Sequence, residues 1–168
     1  VHSYGLLAGD HSAMTEKAVY AGTKKQHLDF FYHIDHVGKK THAEIDVKGA
    51  LDDDSKKIFR GTLNFKKGCS GSAGDEGDYA IQLSPKTKNI SLPLLLCTED
   101  DVQGNHASSA GQLDANTIYF LMSRGFSLEE ARRIVIEALI LPIIDGIDAS
   151  VRDEIITELR QKLDSKEL

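Results

Sequence analysis

Histidine and aspartate side chains are concentrated in one stretch near the start of the sequence. The stretch contains His27, His33, His36 and His42, together with Asp29 and Asp35. Imidazole and carboxylate groups are common ligands of divalent metals, so a metal site is one interpretation. In an extended chain, however, His33 and Asp35 share one face while His36 points to the other, so one site cannot easily use all of them. We therefore favour structural histidines, either packed or facing solvent.

Two residues further along the chain could hold a softer ligand. Cys97 ends an apolar run at 94–97, and His106 follows nine residues later within a small, polar segment at 100–111. A thiolate and an imidazole together suit iron and sulfide. Each residue also has a plain structural interpretation. Cys97 could be a small buried apolar residue, and His106 could donate to a backbone carbonyl between the last strand and the first helix.

The sequence carries no motif of the common enzyme classes. It contains no Ser-His-Asp constellation with nucleophile-elbow glycines, no P-loop and no GxGxxG. The glycine-rich segment 68–77 holds Asp75 and Glu76, close to Asp78, and these charges would repel a phosphate. We interpret this segment as a flexible loop, and we expect no catalytic residues and no enzyme activity.

Composition and charge disfavour two kinds of partner. The formal net charge is −6, whereas a nucleic-acid surface needs clustered Lys and Arg. No run approaches the roughly 20 apolar residues that a membrane-spanning helix needs. We therefore expect neither nucleic-acid nor membrane binding. The two cysteines do not suggest a disulfide scaffold, and the start does not look like a signal peptide, so we expect a cytoplasmic location.

The elements that would position these residues change in character along the chain. Apolar residues alternate with polar ones in clear strands at 28–35, 43–48 and 59–65, and in weaker ones at 79–83 and 90–97. The first 26 residues show little periodicity. The strands recur about every 15 residues, with turns too short for crossover helices, which is typical of a sandwich, a barrel or a β-solenoid. Periodicity alone does not choose among these.

After about Gly111 the apolar period becomes helical. Residues 113–124 are apolar on nearly every side, which predicts a buried helix ending at Gly125. Ser127 and Glu130 form a capping box that starts a second helix, which stops near Pro142. Asp148 or Ser150 caps a third. We therefore divide the chain into a β part at 1–111 and a helical part at 112–168.

The junction between these parts carries a long and specific pattern. An acidic turn at 99–101 leads to His106 and small residues, then Gly111, then a tyrosine-containing helix ending in Ser-Arg-Gly at 123–125, then Glu-Glu-Ala at 129–131. This pattern resembles the core of the SufB/SufD family of iron–sulfur cluster assembly scaffolds. Similar upstream segments lie at 26–29, 34–36, 48–51 and 59–61. The His-Ala-Ser-Ser form at His106 resembles SufD, since SufB typically has Glu directly after this histidine.

The resemblance implies a right-handed parallel β-helix followed by a C-terminal helical domain. It also implies a non-catalytic scaffold of the SufBCD complex. In that family SufB and SufD pair through their β-helices, and each binds one copy of the ATPase SufC through its helical region. ATP-driven movement of SufC opens the SufB–SufD interface, where a cluster is built from iron and sulfur. Family members are considerably longer, and this chain starts at Val1 without Met, so we expect a fragment.

The resemblance also assigns site residues. His106 matches the SufD histidine implicated in binding iron or a cluster. Cys97 stands where SufB members carry a cysteine thought to hold sulfur or a cluster, which departs from the usual SufD pattern. We predict His106 as a metal ligand and Cys97 as a second candidate for transient cluster binding, with no cluster in the isolated chain. We further expect residues 118–144 to bind SufC, and the isolated chain to form a homodimer near Cys97 and His106.

Two other classes of protein remain open at this point. A cupin-like metal-binding β-barrel would use the stretch from His27 to His42, and a structural adaptor would use no metal at all. The SufD interpretation leads both because it alone explains the order of the elements and the pattern at the junction.

Overall fold

The computed structural model of the chain describes residues 1–145 and 147–164. Eight strands come first: β1 (His2–Leu7), β2 (Ala13–Gly22), β3 (His27–His36), β4 (His42–Leu51), β5 (Lys56–Phe65), β6 (Ser72–Gln82), β7 (Lys88–Cys97) and β8 (Val102–Gln112). Three helices follow: α1 (Ala115–Ser123), α2 (Leu128–Ile144) and α3 (Ala149–Asp164).

The strands build two parallel sheets that face each other. The odd-numbered strands form one sheet in the order β1-β3-β5-β7, and the even-numbered strands form the other in the order β2-β4-β6-β8. Each strand therefore pairs with the strand two positions earlier, and every coil of the chain contributes one strand to each sheet. This is a parallel β-helix of about four turns. The predicted fold class is confirmed, and the sandwich and the cupin-like barrel were wrong alternatives.

Strict alternation along the strands places apolar side chains inside the β-helix. In β5, Phe59, Leu63 and Phe65 are fully buried, while Arg60 and Asn64 face outwards. In β3, Tyr32 and Ile34 follow the same rule. Because the strands pair in register, apolar residues of successive coils lie next to one another, as Ile34 on β3 lies next to Leu63 on β5. The hydrophobic core is thus a continuous column along the β-helix axis.

Three segments in which the sequence predicted no strand contain strands. The weakly periodic first 26 residues contain β1 and β2. The predicted loop at 68–77 includes the start of β6, and the polar segment at 100–111 includes all but the last residue of β8. Periodicity failed because these strands do not alternate apolar with polar residues. In β6 the inward positions include Glu76 and Asp78, and β8 consists mainly of small and polar residues. Their register comes from the neighbouring coil instead.

Local capping fixes the helices close to the predicted positions. The Ser127 hydroxyl accepts the Glu130 N–H, and the Glu130 carboxylate accepts the Ser127 N–H, so the predicted capping box is confirmed. Gly125, just past α1, has the positive φ of +99° that favours glycine. Helix α2 continues two residues past Pro142 and packs on β2 and β4. At the start of α3, Asp148 accepts the Ser150 N–H.

Helix α1 differs from its prediction. Its composition predicted a buried helix, but none of its residues is buried, and Tyr119 is 74% exposed. Phe120 and Met122 are also exposed. Helix α1 packs mainly on α2, and the described residues leave much of its surface exposed. An apolar sequence therefore predicted burial for a surface that this chain leaves open.

Candidate functional site at the open end of the β-helix

The last coil of the β-helix consists of β7 and β8. Each pairs on one side with the preceding coil, and within the described residues no strand pairs with its other side. Both strands therefore present a row of backbone N–H and C=O groups to the exterior. The interior of the β-helix is open here as well, because the described part of the chain forms no further coil above the inward-facing side chains.

Inward and outward positions of β8 can be assigned from its contacts. Val102 packs against the core, and a Cβ added at Gly104 would lie 3.2 Å from the Phe65 ring, so these residues face inwards. His106 is the next alternate residue along the strand, so it faces inwards too. Asn105 faces outwards, and its side-chain amide donates to Asp75 at 3.0 Å. His106 is nonetheless exposed, since it lies at the open end.

Cys97 lies on the facing strand of the same coil. It pairs in register with the buried Phe65, so it also has inward parity, and it is exposed at the open end. Leu95, two residues earlier, faces Gly104, where an added Cβ would lie 3.3 Å from the leucine side chain. Cys97 and His106 therefore lie on either side of the Leu95–Gly104 contact. The structure brings them to the same end of the β-helix but not into one ligand set.

Glu76 lies directly beneath His106. The two residues are register partners on β6 and β8, so their side chains emerge on the same, inward face. Glu76 is only 3% exposed, and neither carboxylate oxygen has a hydrogen-bond partner among the described residues. On the opposite sheet is Gly61, where a Cβ would overlap Oε1 of Glu76. Burial, and then the charge of Asp78, raises the pKa of Glu76 to about 7.

A buried ion pair lies beside Glu76. Lys57 and Asp78 are both fully buried, and Nζ of Lys57 contacts Oδ1 of Asp78. The ammonium also lies 5.0 Å from the centre of the Tyr20 ring. Burial lowers the pKa of Lys57, while the hydrogen bond to Asp78 opposes that effect. Because Lys57 pairs with Asp78, no cationic side chain pairs with Glu76 among the described residues.

Further polar atoms without partners lie in the same region. The Asn89 side-chain oxygen and the Ser91 hydroxyl on β7 are buried and unpaired within the described chain. Both face inwards, because they pair in register with Lys57 and Phe59. We call Lys57, Glu76, Asp78, Asn89 and Ser91 the inner polar cluster. The sequence analysis did not predict this cluster. The signal that could have indicated it is the presence of charged residues at inward-facing positions of β5 and β6.

Two histidines of the early stretch make contacts within the β-helix. As predicted, His33 and His36 lie on opposite faces of β3. His33 is 3.0 Å from Asp35 and stacks on Tyr4 on the outer face. His36 is fully buried and hydrogen-bonds Thr41 at 2.7 Å. Burial, and then the charge of His42, lowers the pKa of His36 to about 4. In the described residues, no three His, Cys, Asp or Glu side chains group as a metal site.

The family follows from comparison of the whole chain with known proteins. Residues 2–139 match the family model described as "SUF system FeS cluster assembly, SufBD core domain". The chain belongs to the SufB/SufD family. The match covers the β-helix, α1 and most of α2, and therefore includes Cys97, Glu76 and His106.

Individual relatives favour the SufD side of the family. The chain is 32% identical to the iron–sulfur cluster assembly protein SufD of Bacillus subtilis over 94% of its length. It is 20% identical to SufD of Escherichia coli over 94%, and 25% identical to SufB of Bacillus subtilis over 82%. It spans 36%, 37% and 30% of these three relatives, respectively, or about a third of each. The chain is thus SufD-like and corresponds to part of such a protein. No helix among the described residues is long and apolar enough to cross a membrane.

Proposed function

We propose that this chain is part of a non-catalytic scaffold for iron–sulfur cluster assembly in the cytoplasm, and that His106 binds iron or a nascent cluster. The observation that carries the proposal is the position of His106, which has inward parity on the last coil but stays exposed. A histidine there can meet ligands from a second subunit docked on the same end. Cys97 supplies a thiolate at that end as a second cluster ligand.

The partner at this end is a SufB-like subunit. Strand β7 supports pairing because its outward face is apolar and exposed. The exposed side chains are Ile90, Leu92, Leu94 and Leu96. An apolar strand next to an open edge favours addition of another strand. In the absence of SufB, the same surface pairs two copies of this chain as a homodimer.

The SufC-like ATPase binds the helical part, within residues 118–144. Helix α1 and the turn after it support this assignment, since Tyr119, Phe120, Met122 and Phe126 are all exposed. Apolar side chains displayed together on a short helix are typical of a docking surface. The division into 1–111 and 112–168 is therefore functional: the β part holds the cluster site and the helical part receives the movement of SufC.

The test of the cluster site is complementation in cells that depend on this system. The full-length protein carrying His106→Ala is expected to lose cluster assembly, measured as the activity of iron–sulfur enzymes. Asn105→Ala is the matched control, because it removes the neighbouring side chain from the outer face of the same strand. Full complementation by His106→Ala would overturn the proposed site.

The SufC assignment has a separate test. Tyr119→Asp in the full-length protein is expected to abolish co-purification with SufC. Val151→Asp on α3 introduces the same charge at another exposed apolar position and should leave co-purification intact. Retention of SufC by the Tyr119→Asp protein would place the docking surface elsewhere.

A further inference from the structure

We propose that Glu76 is a second ligand for the iron that His106 binds, so that the two side chains hold one ferrous ion at the open end of the β-helix. The inference rests on the proposed function of His106. It assigns a role to a buried carboxylate on a different strand, one coil below.

The first support is register. Glu76 and His106 pair across β6 and β8, and neighbouring strands lie about 4.8 Å apart. Register partners project from the same face, so the carboxylate and the imidazole extend into the same part of the interior. Two side chains at this separation can converge on a single cation. Residues 75 and 105, one position earlier on each strand, point outwards and bond each other instead.

The second support is the unpaired state of the carboxylate. Buried polar groups in proteins are nearly always hydrogen-bonded, and buried carboxylates are normally paired or bound to a metal. Glu76 is almost fully buried, yet both of its oxygens lack a partner in the described residues. Lys57 does not supply one, because it pairs with Asp78. A cation is the ligand class that would satisfy Glu76.

The third support is the space around the carboxylate. Gly61 faces Glu76 from the opposite sheet, and any larger residue there would overlap Oε1. Pro93 is the register partner of Gly61 in the last coil, and its side chain has no polar group that could bind the Glu76 carboxylate. The missing side chain of Gly61 therefore makes room for the Glu76 carboxylate, and the exposed His106 lies one coil above it.

The chemistry of the pair fits ferrous iron. Carboxylate oxygen and imidazole nitrogen are both ligands that Fe²⁺ accepts, and two protein ligands leave coordination positions open. Sulfide and ligands from a docked subunit would fill those positions as a cluster grows. A carboxylate beneath the histidine also fixes the depth at which the metal enters the open end.

The inference is tested by binding of Co²⁺ alone, used as a spectroscopic substitute for Fe²⁺, to the full-length protein without oxygen. The dissociation constant is read from the visible absorption of bound cobalt. Glu76→Gln keeps the shape of the side chain and removes its charge, and we expect the constant to rise about tenfold or more. His106→Ala should raise it at least as much. Asp75→Asn removes one negative charge from the outward neighbour and should leave it unchanged.

The outcomes separate this inference from the proposed function. If His106→Ala weakens cobalt binding but Glu76→Gln does not, Glu76 is not a ligand while the His106 site stands. If neither substitution has an effect, both fail. If Asp75→Asn and Glu76→Gln weaken cobalt binding equally, the effect comes from the loss of negative charge in general rather than from a lost ligand. That result would overturn the inference. Should Glu76→Gln not fold, Glu76→Asp withdraws the carboxylate by one methylene and must likewise weaken binding.

Discussion

The interior of the β-helix contains two neighbouring regions that differ in chemistry: one is apolar and the other is polar and charged. Along β5, Phe59, Leu63 and Phe65 belong to the hydrophobic core, where Leu63 lies between Ile34 and Leu95 of the neighbouring strands. On the same face of the same strand, Lys57 belongs to the inner polar cluster, where Glu76 has no hydrogen-bond partner within the described part of the chain. The apolar region accounts for stability, since burial of such side chains is the main driving force of folding. The polar region opposes stability, and local departures of this kind are typical of functional sites.

The largest expected effect lies in the apolar region. Phe65→Ala should lower the free energy of unfolding by about 4 kcal/mol, because it removes a fully buried ring and leaves a cavity. Urea denaturation of the full-length protein measures the change. Phe120→Ala, the same substitution on exposed α1, should cost less than about 1 kcal/mol. Equal effects at both positions would contradict the described core.

The buried ion pair gives the next effect. Lys57→Met should lower the free energy of unfolding by about 3 kcal/mol, because Asp78 is left as an uncompensated buried charge. The double substitution Lys57→Met with Asp78→Leu should recover most of this loss, which a double-mutant cycle measures. If the single and double variants are equally unstable, packing by the lysine stem, rather than its charge, dominates.

Removal of the Glu76 charge is expected to raise the free energy of unfolding, whereas the two preceding substitutions lower it. Its pKa is raised from 4.5 to about 7 in the folded state, with Asp78, Lys57 and His106 as the charged or titratable groups nearby. A raised folded pKa contributes stability that is complete below the unfolded pKa and is lost as pH rises through 7. Glu76→Gln should therefore match the parent protein at pH 4 and exceed its unfolding free energy by about 3 kcal/mol at pH 8.

Urea midpoints at both pH values test this prediction, with Asp75→Asn as the control for an outward carboxylate. The same Glu76→Gln substitution would then raise stability while weakening cobalt binding. A protein that becomes less stable at pH 8 would show that the carboxylate has a structural partner, and the contrast between the two regions would lose its basis.

The smallest effect is expected at an exposed ion pair. Arg60 donates two hydrogen bonds to Asp29 on the outer face of the β-helix, where solvent screens the charges. Asp29→Asn should therefore leave the urea midpoint unchanged within error. A loss comparable to that of Lys57→Met would mean that burial does not separate the two ion pairs.

The sequence predicted those elements whose signals are local. Strands β3, β4 and β5 alternate apolar inward residues with polar outward ones, and the capping box of α2 needs only Ser127 and Glu130. Strand β8 lacks that alternation, and its place depends on the register with β6, which no local pattern encodes.

The candidate site was predictable only in part, for the same reason. Resemblance to the family identified His106 and Cys97. Glu76, however, is 30 residues from His106 in sequence, and only the pairing of β6 with β8 brings the two together. Its isolated sequence context, Asp75-Glu76-Gly77, is that of a polar loop. The exposure of α1 was equally hidden, because a sequence of apolar residues does not state whether the covering surface belongs to the same chain.

The most direct test of the metal site is a crystal structure of the full-length protein soaked with Co²⁺ without oxygen. Anomalous scattering locates the metal independently of any assumed ligand. We predict one site at the open end of the β-helix, within bonding distance of an imidazole nitrogen of His106 and a carboxylate oxygen of Glu76. Cobalt bound elsewhere, with both side chains unliganded, would contradict the assignment.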